Sequence, residues 1–186
     1  MSPPPESHVL VAEDDKKLTD LYRVWLEPEH ETTIANNGKE AIASLGDSID
    51  IALLDRDLGN VRGINVAKEI RELDKHIPIV YVSGEQPTEN LLKYRFEGYM
   101  RKPVEKEDLE STIESLSAFQ SVSKPQVQYL SLVHQLKTIQ QSRISPDSKR
   151  LKILKRKLRR YQEEIQPLPK DLQPQIEDLS IPISPA

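Results

Sequence analysis

Apolar residues follow two alternating patterns along the first two-thirds of the chain. Short strand-like runs that end at turn-forming residues are typical of buried parallel strands, and stretches with apolar residues at every third or fourth position are typical of one-sided helices. Runs of the first kind lie at 9–12, 32–35, 51–54, 77–82 and 98–101. Helical stretches lie between and after them, including a short one around 90–96 and a longer one at 105–119. Five strands alternating with five helices predict a parallel sheet covered on both faces, with right-handed crossovers.

Charged and polar side chains stand where four of these strands end. Glu13 and Asp14 follow the first strand, and Asp55 follows the third. Ser83 follows the fourth strand and Lys102 follows the fifth. Because the carboxyl ends of parallel strands share the edge at which α/β proteins bind ligands, these five side chains are expected to converge. A lone aspartate in such a loop would be interpreted as a turn residue, but Asp55 has these partners.

Three carboxylates that meet at one edge repel one another and raise each other's pKa. A hard divalent cation relieves the repulsion, and Mg²⁺ suits an oxygen-only site that keeps several waters. The cation also lets a carboxylate meet an anionic phosphoryl donor, while a hydroxyl and an ammonium suit phosphoryl oxygens. The set therefore predicts a site at which an aspartate becomes an acyl phosphate.

Four motifs at these strand ends carry a family resemblance: EDD at 13–15, LLDRDL at 53–58, VSG at 82–84 and YMRKP at 99–103. Each motif is common by itself, but the four in this order and at these positions are specific. The segment 8–120 resembles the receiver domain of two-component response regulators. The resemblance implies an α/β, flavodoxin-like, doubly wound fold with a five-stranded parallel sheet in the order 2-1-3-4-5.

The resemblance also assigns roles to the acidic residues. It implies that Asp55 accepts a phosphoryl group from a sensor histidine kinase and becomes an aspartyl phosphate. Glu13 and Asp14, together with Asp55 and the main-chain carbonyl of Asp57, are implied as ligands of Mg²⁺. The protein would then be a phosphoacceptor that at most catalyses its own phosphorylation and dephosphorylation, and not an enzyme of another kind.

Further roles are implied for the residues around the last two strands. Ser83 would donate its hydroxyl to the phosphoryl group, Lys102 would pair with a phosphoryl oxygen, and Tyr99 would act as the switch aromatic. The bond between Lys102 and Pro103 is one that the family usually makes cis, which for an X-Pro bond costs only about 0.5–1 kcal/mol. Gly84 replaces a more usual alanine. The short segment between Ser83 and Lys102 implies an abbreviated fourth helix.

Composition excludes several classes of protein. None of the 186 residues is cysteine, so disulfides and thiolate metal sites are impossible. The four histidines, at positions 8, 30, 76 and 134, show no metal-ligand spacing. The proline-rich start lacks the features of a signal peptide, and no apolar run approaches the roughly 18 residues of a membrane span. A cytoplasmic protein without a membrane partner is therefore expected.

Charge divides the chain into two parts. Residues 1–123 contain 14 Lys/Arg and 24 Asp/Glu, a balance of −10, whereas residues 124–186 contain 12 and 6, a balance of +6. Such a change of sign indicates two functionally distinct parts. The predicted division is a disordered start at 1–7, a receiver domain at 8–120, a helical hairpin at 123–166 and a proline-rich disordered tail at 167–186.

Two helical stretches make up the predicted hairpin. Their apolar residues recur at spacings of three and four, which predicts a coiled-coil-like seam. These residues are Tyr129, Leu132, Leu136 and Ile139 in the first stretch, and Leu151, Leu154, Leu158, Tyr161 and Ile165 in the second. The second stretch also carries eight Lys/Arg and no acid at 149–160. This layout, with the LLDRDL phrase and the short segment before Lys102, resembles haloarchaeal regulators that carry a HalX domain.

Three interpretations of the hairpin are open. The favoured one is an oligomerisation or output module that forms a homodimer or docks on a partner protein through the apolar seam. The alternative is a phosphorylation-controlled DNA-binding transcriptional regulator that uses the basic helix at 149–160, since clustered Lys/Arg is the footprint of nucleic-acid binding. Nucleic acid is not favoured, because no helix-turn-helix spacing is evident. The third interpretation is a solvated face on a helix packed against the acidic receiver.

Overall fold

The computed structural model describes residues 7–27, 29–46, 48–59, 61–73, 76–88, 91, 95–140, 142, 145 and 148–165. Five strands form one sheet in which every neighbouring pair is parallel. They are β1 (His8–Ala12), β2 (Glu31–Ala35), β3 (Ile51–Asp55), β4 (Ile79–Ser83) and β5 (Gly98–Arg101). Their order across the sheet is β2-β1-β3-β4-β5. The predicted fold class and strand order are therefore confirmed.

The three central strands form the core because their side chains are apolar on both faces. β3 and β4 are buried along their whole length, and β1 is buried from Val9 to Ala12. β5 is an edge strand and is only half-buried. β4 begins two residues later than predicted, after Pro78, whose ring nitrogen has no hydrogen to donate to a neighbouring strand. The carbonyl of Pro78 still accepts a hydrogen bond of 2.9 Å from Ala52 N.

Four helices pack on this sheet. They are α1 (Lys16–Leu26), α2 (Gly38–Ala43), α3 (Gly63–Glu72) and α4 (Lys106–Ser117), and a short 3₁₀ turn (Ala118–Ser121) continues the last of them. The side chains of Asp15 and Asn37 accept hydrogen bonds from backbone N–H groups in the first turns of α1 and α2, which fixes where these helices begin. Most of the predicted helix at 90–96 lies outside the described residues, as do the segments 1–6 and 166–186.

The chain continues into two further helices, α5 (Lys124–Gln140) and α6 (Lys149–Glu164). The hydroxyl of Tyr161, late in α6, donates a hydrogen bond to the side chain of Gln128, early in α5, so the two helices run antiparallel. Leu151, Leu154 and Leu158 of α6 are buried. The predicted C-terminal helical hairpin is thus confirmed. No helix in the described ranges is long and apolar enough to cross a bilayer.

α5 is buried on nearly all sides, because it packs against α6 on one side and against the sheet on the other. Ser131, Leu130 and Val133 are completely buried. The contact with the sheet lies where β5 begins, since Ser131 reaches Glu97 just before that strand. The ring of His134 stacks on Phe119 of the 3₁₀ turn, with ring centroids 5.8 Å apart. The hairpin therefore packs near the amino edge of the sheet, opposite the carboxyl ends of the strands.

Candidate functional site

Three carboxylates meet at the carboxyl edge of the sheet, where β1 and β3 lie side by side. Glu13 and Asp14 directly follow β1, and Asp55 is the last residue of β3. One oxygen from each of the three lies within 4.8 Å of the others. Glu13 and Asp55 are buried, whereas Asp14 is exposed to solvent. The structure thus brings together the acidic residues that the strand ends predicted.

Lys102, which directly follows β5, joins two of these carboxylates. Its Nζ lies 2.5 Å from Asp55 Oδ2 and 2.6 Å from Glu13 Oε2. Burial by itself would lower the pKa of Lys102, but its hydrogen bonds and charge interactions with Asp55 and Glu13 outweigh burial and raise that pKa. The ammonium therefore stays charged and neutralises part of the acidic cluster.

Burial has the opposite effect on the acid at this site. Desolvation raises the pKa of Glu13, and the nearby charge of Asp55 raises it further, against the lowering effect of Lys102. A buried carboxylate with a raised pKa is stabilised in its ionised form by any added positive charge. The cluster therefore favours a cation beyond the one that Lys102 supplies.

The backbone around Asp55 holds its carboxylate in place. Asp57 N donates a hydrogen bond of 3.1 Å to Asp55 Oδ1, so both carboxylate oxygens have partners. Gly63, the first residue of α3, lies so close that a Cβ there would sit 1.9 Å from the carbonyl oxygen of Asp55. Only glycine permits this approach, in which Gly63 N donates a hydrogen bond of 3.1 Å to Arg56 O. The side chain of Asp57 is exposed.

Ser83 ends β4 beside Asp55 and is buried. Its Oγ accepts a hydrogen bond of 3.2 Å from Glu85 N, and its carbonyl accepts one of 3.0 Å from Lys102 N. The peptide bond between Lys102 and Pro103 is cis. Ser83 and Lys102 are therefore positioned together, on neighbouring strand ends.

Arg56 is a residue to which the sequence patterns gave no role. Its Nη1 donates hydrogen bonds to Gln86 O at 3.0 Å and to the hydroxyl of Tyr99 at 3.3 Å, and its Nη2 lies 3.0 Å from a carboxylate oxygen of Glu85. The Tyr99 hydroxyl in turn donates to Glu85 O at 2.8 Å. Arg56 thus binds both the loop after Ser83 and the side chain of Tyr99.

An open cleft of about 320 Å³ lies over Asp55 and Ser83, with the side chains of Arg56 and Arg62 on its walls. It leaves space for an anionic group beside the aspartate. A second groove of about 370 Å³ lies between α5 and the amino edge of the sheet and contains none of the predicted site residues. Of the predicted site residues, Asp55, Asp57 and Ser83 line the first cleft.

Known proteins resemble the part of the chain that forms the sheet. Residues 9–114 match the family model described as the response regulator receiver domain. A Haloferax volcanii protein named "Putative transcriptional regulator" is 36% identical over 120 residues, which are 62% of this chain and 21% of that protein. The response regulator SaeR of Staphylococcus aureus is 30% identical over 114 residues, 59% of this chain and 50% of that protein. The chain thus spans half or less of these curated relatives.

Solved structures agree with the family model. A CheY-like response regulator receiver domain protein from Methanospirillum hungatei superimposes with a TM-score of 0.58 at 26% identity, covering 62% of this chain and 96% of that one. The receiver domain of the Francisella response regulator 1452 gives 0.57 at 28% identity, covering 61% and 98%. Because the family model covers more than half of the sequence, the chain belongs to the response regulator receiver domain family.

Proposed function

We propose that the protein is a two-component response regulator that accepts a phosphoryl group on Asp55 from a sensor histidine kinase. The observation that carries this proposal is the position of Lys102 Nζ, 2.5 Å from Asp55 and 2.6 Å from Glu13, together with the open cleft that Asp55 lines. An ammonium held between a nucleophilic carboxylate and a second acid is well placed to follow negative charge onto an incoming phosphoryl group.

The acidic cluster fits Mg²⁺, because it offers only oxygen donors and one of its carboxylates is exposed to solvent. Glu13, Asp14 and Asp55 would hold the ion together with the main-chain carbonyl of Asp57. Bound there, Mg²⁺ would neutralise charge on the transferring phosphoryl group and on the carboxylate that receives it.

The chain's own residues account for the rest of the transfer. The Asp55 carboxylate attacks phosphorus, an oxygen–phosphorus bond forms, and the bond from phosphorus to the donor's imidazole nitrogen breaks. Lys102 then pairs with a phosphoryl oxygen. Because Ser83 Oγ already accepts a hydrogen bond from Glu85 N, its own hydroxyl hydrogen can be donated to another phosphoryl oxygen.

We assign the output role to the C-terminal hairpin, as a module of the HalX kind. Its leucine seam at 151, 154 and 158 is filled by α5 within the same chain, so a homodimer through that seam would require exchange of helices. Docking on a partner protein would then use surfaces of the hairpin other than the seam. The alternative output, DNA binding by 149–160, gains support because the basic residues of α6 lie on its exposed side.

Intact-protein mass spectrometry tests the phosphoacceptor. With Mg²⁺ and a small phosphoryl donor or a phosphorylated kinase, the wild type should gain one phosphoryl group and Asp55→Asn none. Asp57→Asn is the matched control, because the exposed side chain of Asp57 is not needed for its main-chain role, and this variant should still be labelled. Full labelling of Asp55→Asn would assign the acceptor elsewhere.

A further inference from the structure

The exposed side of α6 is almost entirely basic. Within 149–160 the apolar residues Leu151, Leu154 and Leu158 are buried against α5, whereas the side chains at 149, 152, 155, 156, 157, 159 and 160 are exposed. Each step of two residues turns an α-helix by about 200°, so Arg156, two residues from both Leu154 and Leu158, points away from α5. We call these exposed Lys and Arg residues the basic face of α6.

Most of these charges are not neutralised by ion pairs with the residues that the structure describes. Six of the eight basic side chains in 149–160 form no ion pair with any described residue. The six are Lys149, Arg150, Lys155, Arg156, Lys157 and Arg159. Packing against the acidic receiver would have paired them with carboxylates, but α6 packs against α5 instead. The basic face therefore presents a concentrated positive charge to a partner outside the chain.

The shape and chemistry of the face fit a nucleic-acid backbone. Twelve helical residues extend about 18 Å, and duplex DNA carries one phosphate charge per roughly 1.7 Å of its axis. The face can thus lie along several phosphates at once. It offers no Asn, Gln, Ser or Thr between 149 and 160, side chains that read base edges alongside Arg and Lys. Contacts to phosphates with little sequence preference are what such a set provides.

An anionic membrane fits the same face less well. Helices that lie in a membrane interface bury an apolar side among the acyl chains. The apolar side of α6 is already covered by α5, since Leu151, Leu154 and Leu158 are each less than a tenth exposed. The balance of −10 in residues 1–123 would also repel any polyanion that approached another side of the protein.

We propose that the basic face of α6 binds the phosphate backbone of double-stranded DNA, with little dependence on base sequence. The proposal deepens the output role assigned to the hairpin under the proposed function and does not require phosphorylation of Asp55. The output surface is then the exposed side of α6, opposite the buried leucine seam.

Fluorescence anisotropy of the full chain with a labelled, mixed-sequence duplex tests it. The wild type should bind, with an affinity that falls steeply from about 50 to about 200 mM salt. The variant Lys155→Gln/Arg156→Gln/Arg159→Gln should lose most of this binding, and its salt slope should be shallower by about 2.7 log units per decade for three lost phosphate contacts. Circular dichroism should show that the variant keeps its helices.

The matched control is Lys39→Gln/Lys68→Gln/Lys106→Gln, which removes the same charge from exposed receiver positions and should bind DNA like the wild type. Unphosphorylated Asp55→Asn should also bind like the wild type, so failure of the phosphoacceptor assignment would not affect this test. Three outcomes would overturn the proposal: no binding at 50 mM salt, equal losses in the two triple variants, or tighter binding to vesicles of anionic phospholipid than to the duplex.

Discussion

Ser131 of α5 donates a hydrogen bond of 2.5 Å to Oε1 of Glu97, the residue before β5, and both side chains are buried. The other carboxylate oxygen, Oε2, accepts from Ile79 N at 2.7 Å and from Arg71 at 3.0 Å, while Arg95 Nε lies 3.2 Å from Oε1. A buried charge is tolerated only when it is paired and hydrogen-bonded. One carboxylate thus accepts hydrogen bonds from the sheet, from α3 and from the C-terminal hairpin.

Replacing Glu97 by Gln should therefore destabilise the protein strongly. Arg71 and Arg95 would lose their carboxylate partner, and breaking a buried ion pair from one side costs about 3–5 kcal/mol. Ser131→Ala removes a single hydrogen bond to a charged group and should cost about 1.5–3 kcal/mol. Urea denaturation measures both values. The exposed Ser111→Ala is the control and should change stability by less than about 0.5 kcal/mol; a Glu97→Gln variant as stable as this control would contradict the assigned role.

Arg56→Ala should loosen the loop after Ser83. Arg56 holds this loop through Gln86 O and the carboxylate of Glu85, and it also contacts the Tyr99 hydroxyl. Hydrogen exchange of the amides at 84–86 and 88 should become faster, while exchange in β1 and β3 stays unchanged. Arg62→Ala, on the wall of the same cleft, is the control and should leave the loop unaffected. Equal protection of the loop in wild type and Arg56→Ala would show that Arg56 does not fasten it.

Lys102→Ala should strengthen Mg²⁺ binding while slowing phosphorylation. The ammonium of Lys102 contacts two of the carboxylates that would hold the ion, so it competes with the metal by charge. Its removal should raise Mg²⁺ affinity about tenfold, equivalent to ~1.4 kcal/mol. Loss of a positive charge at the phosphoryl oxygens should slow transfer by about 10²-fold.

Trp25 offers a readout for this binding, because its ring centroid lies 5.9 Å from that of Tyr22. The charges of Lys102, Glu13 and Asp55 act on the hydroxyl of Tyr22. A Mg²⁺ titration followed by tryptophan fluorescence gives the affinity, and single-turnover labelling gives the rate. The exposed Lys106→Ala should match the wild type in both. Weaker Mg²⁺ binding in Lys102→Ala would exclude competition between the ammonium and the metal.

Alkaline pH should destabilise the wild type more than Tyr22→Phe. Tyr22 is buried with no hydrogen-bond partner for its hydroxyl among the described residues, and burial raises its pKa to about 12. The unfolded chain releases this proton near pH 10, so the stability that the raised pKa contributes is present below pH 10 and is lost as pH rises through 12. Urea midpoints across this window should fall faster in the wild type.

Near neutral pH, Tyr22→Phe should be at least as stable as the wild type, because an unpartnered buried hydroxyl carries a desolvation cost. Tyr99→Phe controls for the general effect of losing one phenol. Parallel pH profiles of wild type and Tyr22→Phe would refute the assignment of this proton to Tyr22.

The strands and the acidic cluster could be predicted because both depend on local patterns, whereas the strand order was implied by the family resemblance. Each central strand is an uninterrupted apolar run, and the residue at which the run stops falls on the carboxyl edge, so Asp55 and Glu13 were placed by their positions alone. Glu97 gave no such signal, because its partners Arg71 and Ser131 come from separate elements. The only hint was a charged residue directly before an edge strand, which would be expected in solvent.

The hairpin shows the same limit. The spacing of three and four predicted two helices and a seam. It could not show that α5 would be enclosed by the sheet on one side and by α6 on the other, because enclosure depends on where the chain returns to the receiver. The roles of Asp57, Ser83 and Tyr99 rest on the family resemblance and stay predictions.

Because α5 packs near the amino edge of the sheet, the C-terminal hairpin and Asp55 lie at opposite ends of the strands. β4 and β5 contain only four or five residues, so the two edges of the sheet are about 13–17 Å apart. A kinase domain that reaches Asp55 and a target held by the hairpin would nevertheless approach from opposite ends and would not compete for space. Such a regulator could be phosphorylated and dephosphorylated repeatedly while it stays bound to its target.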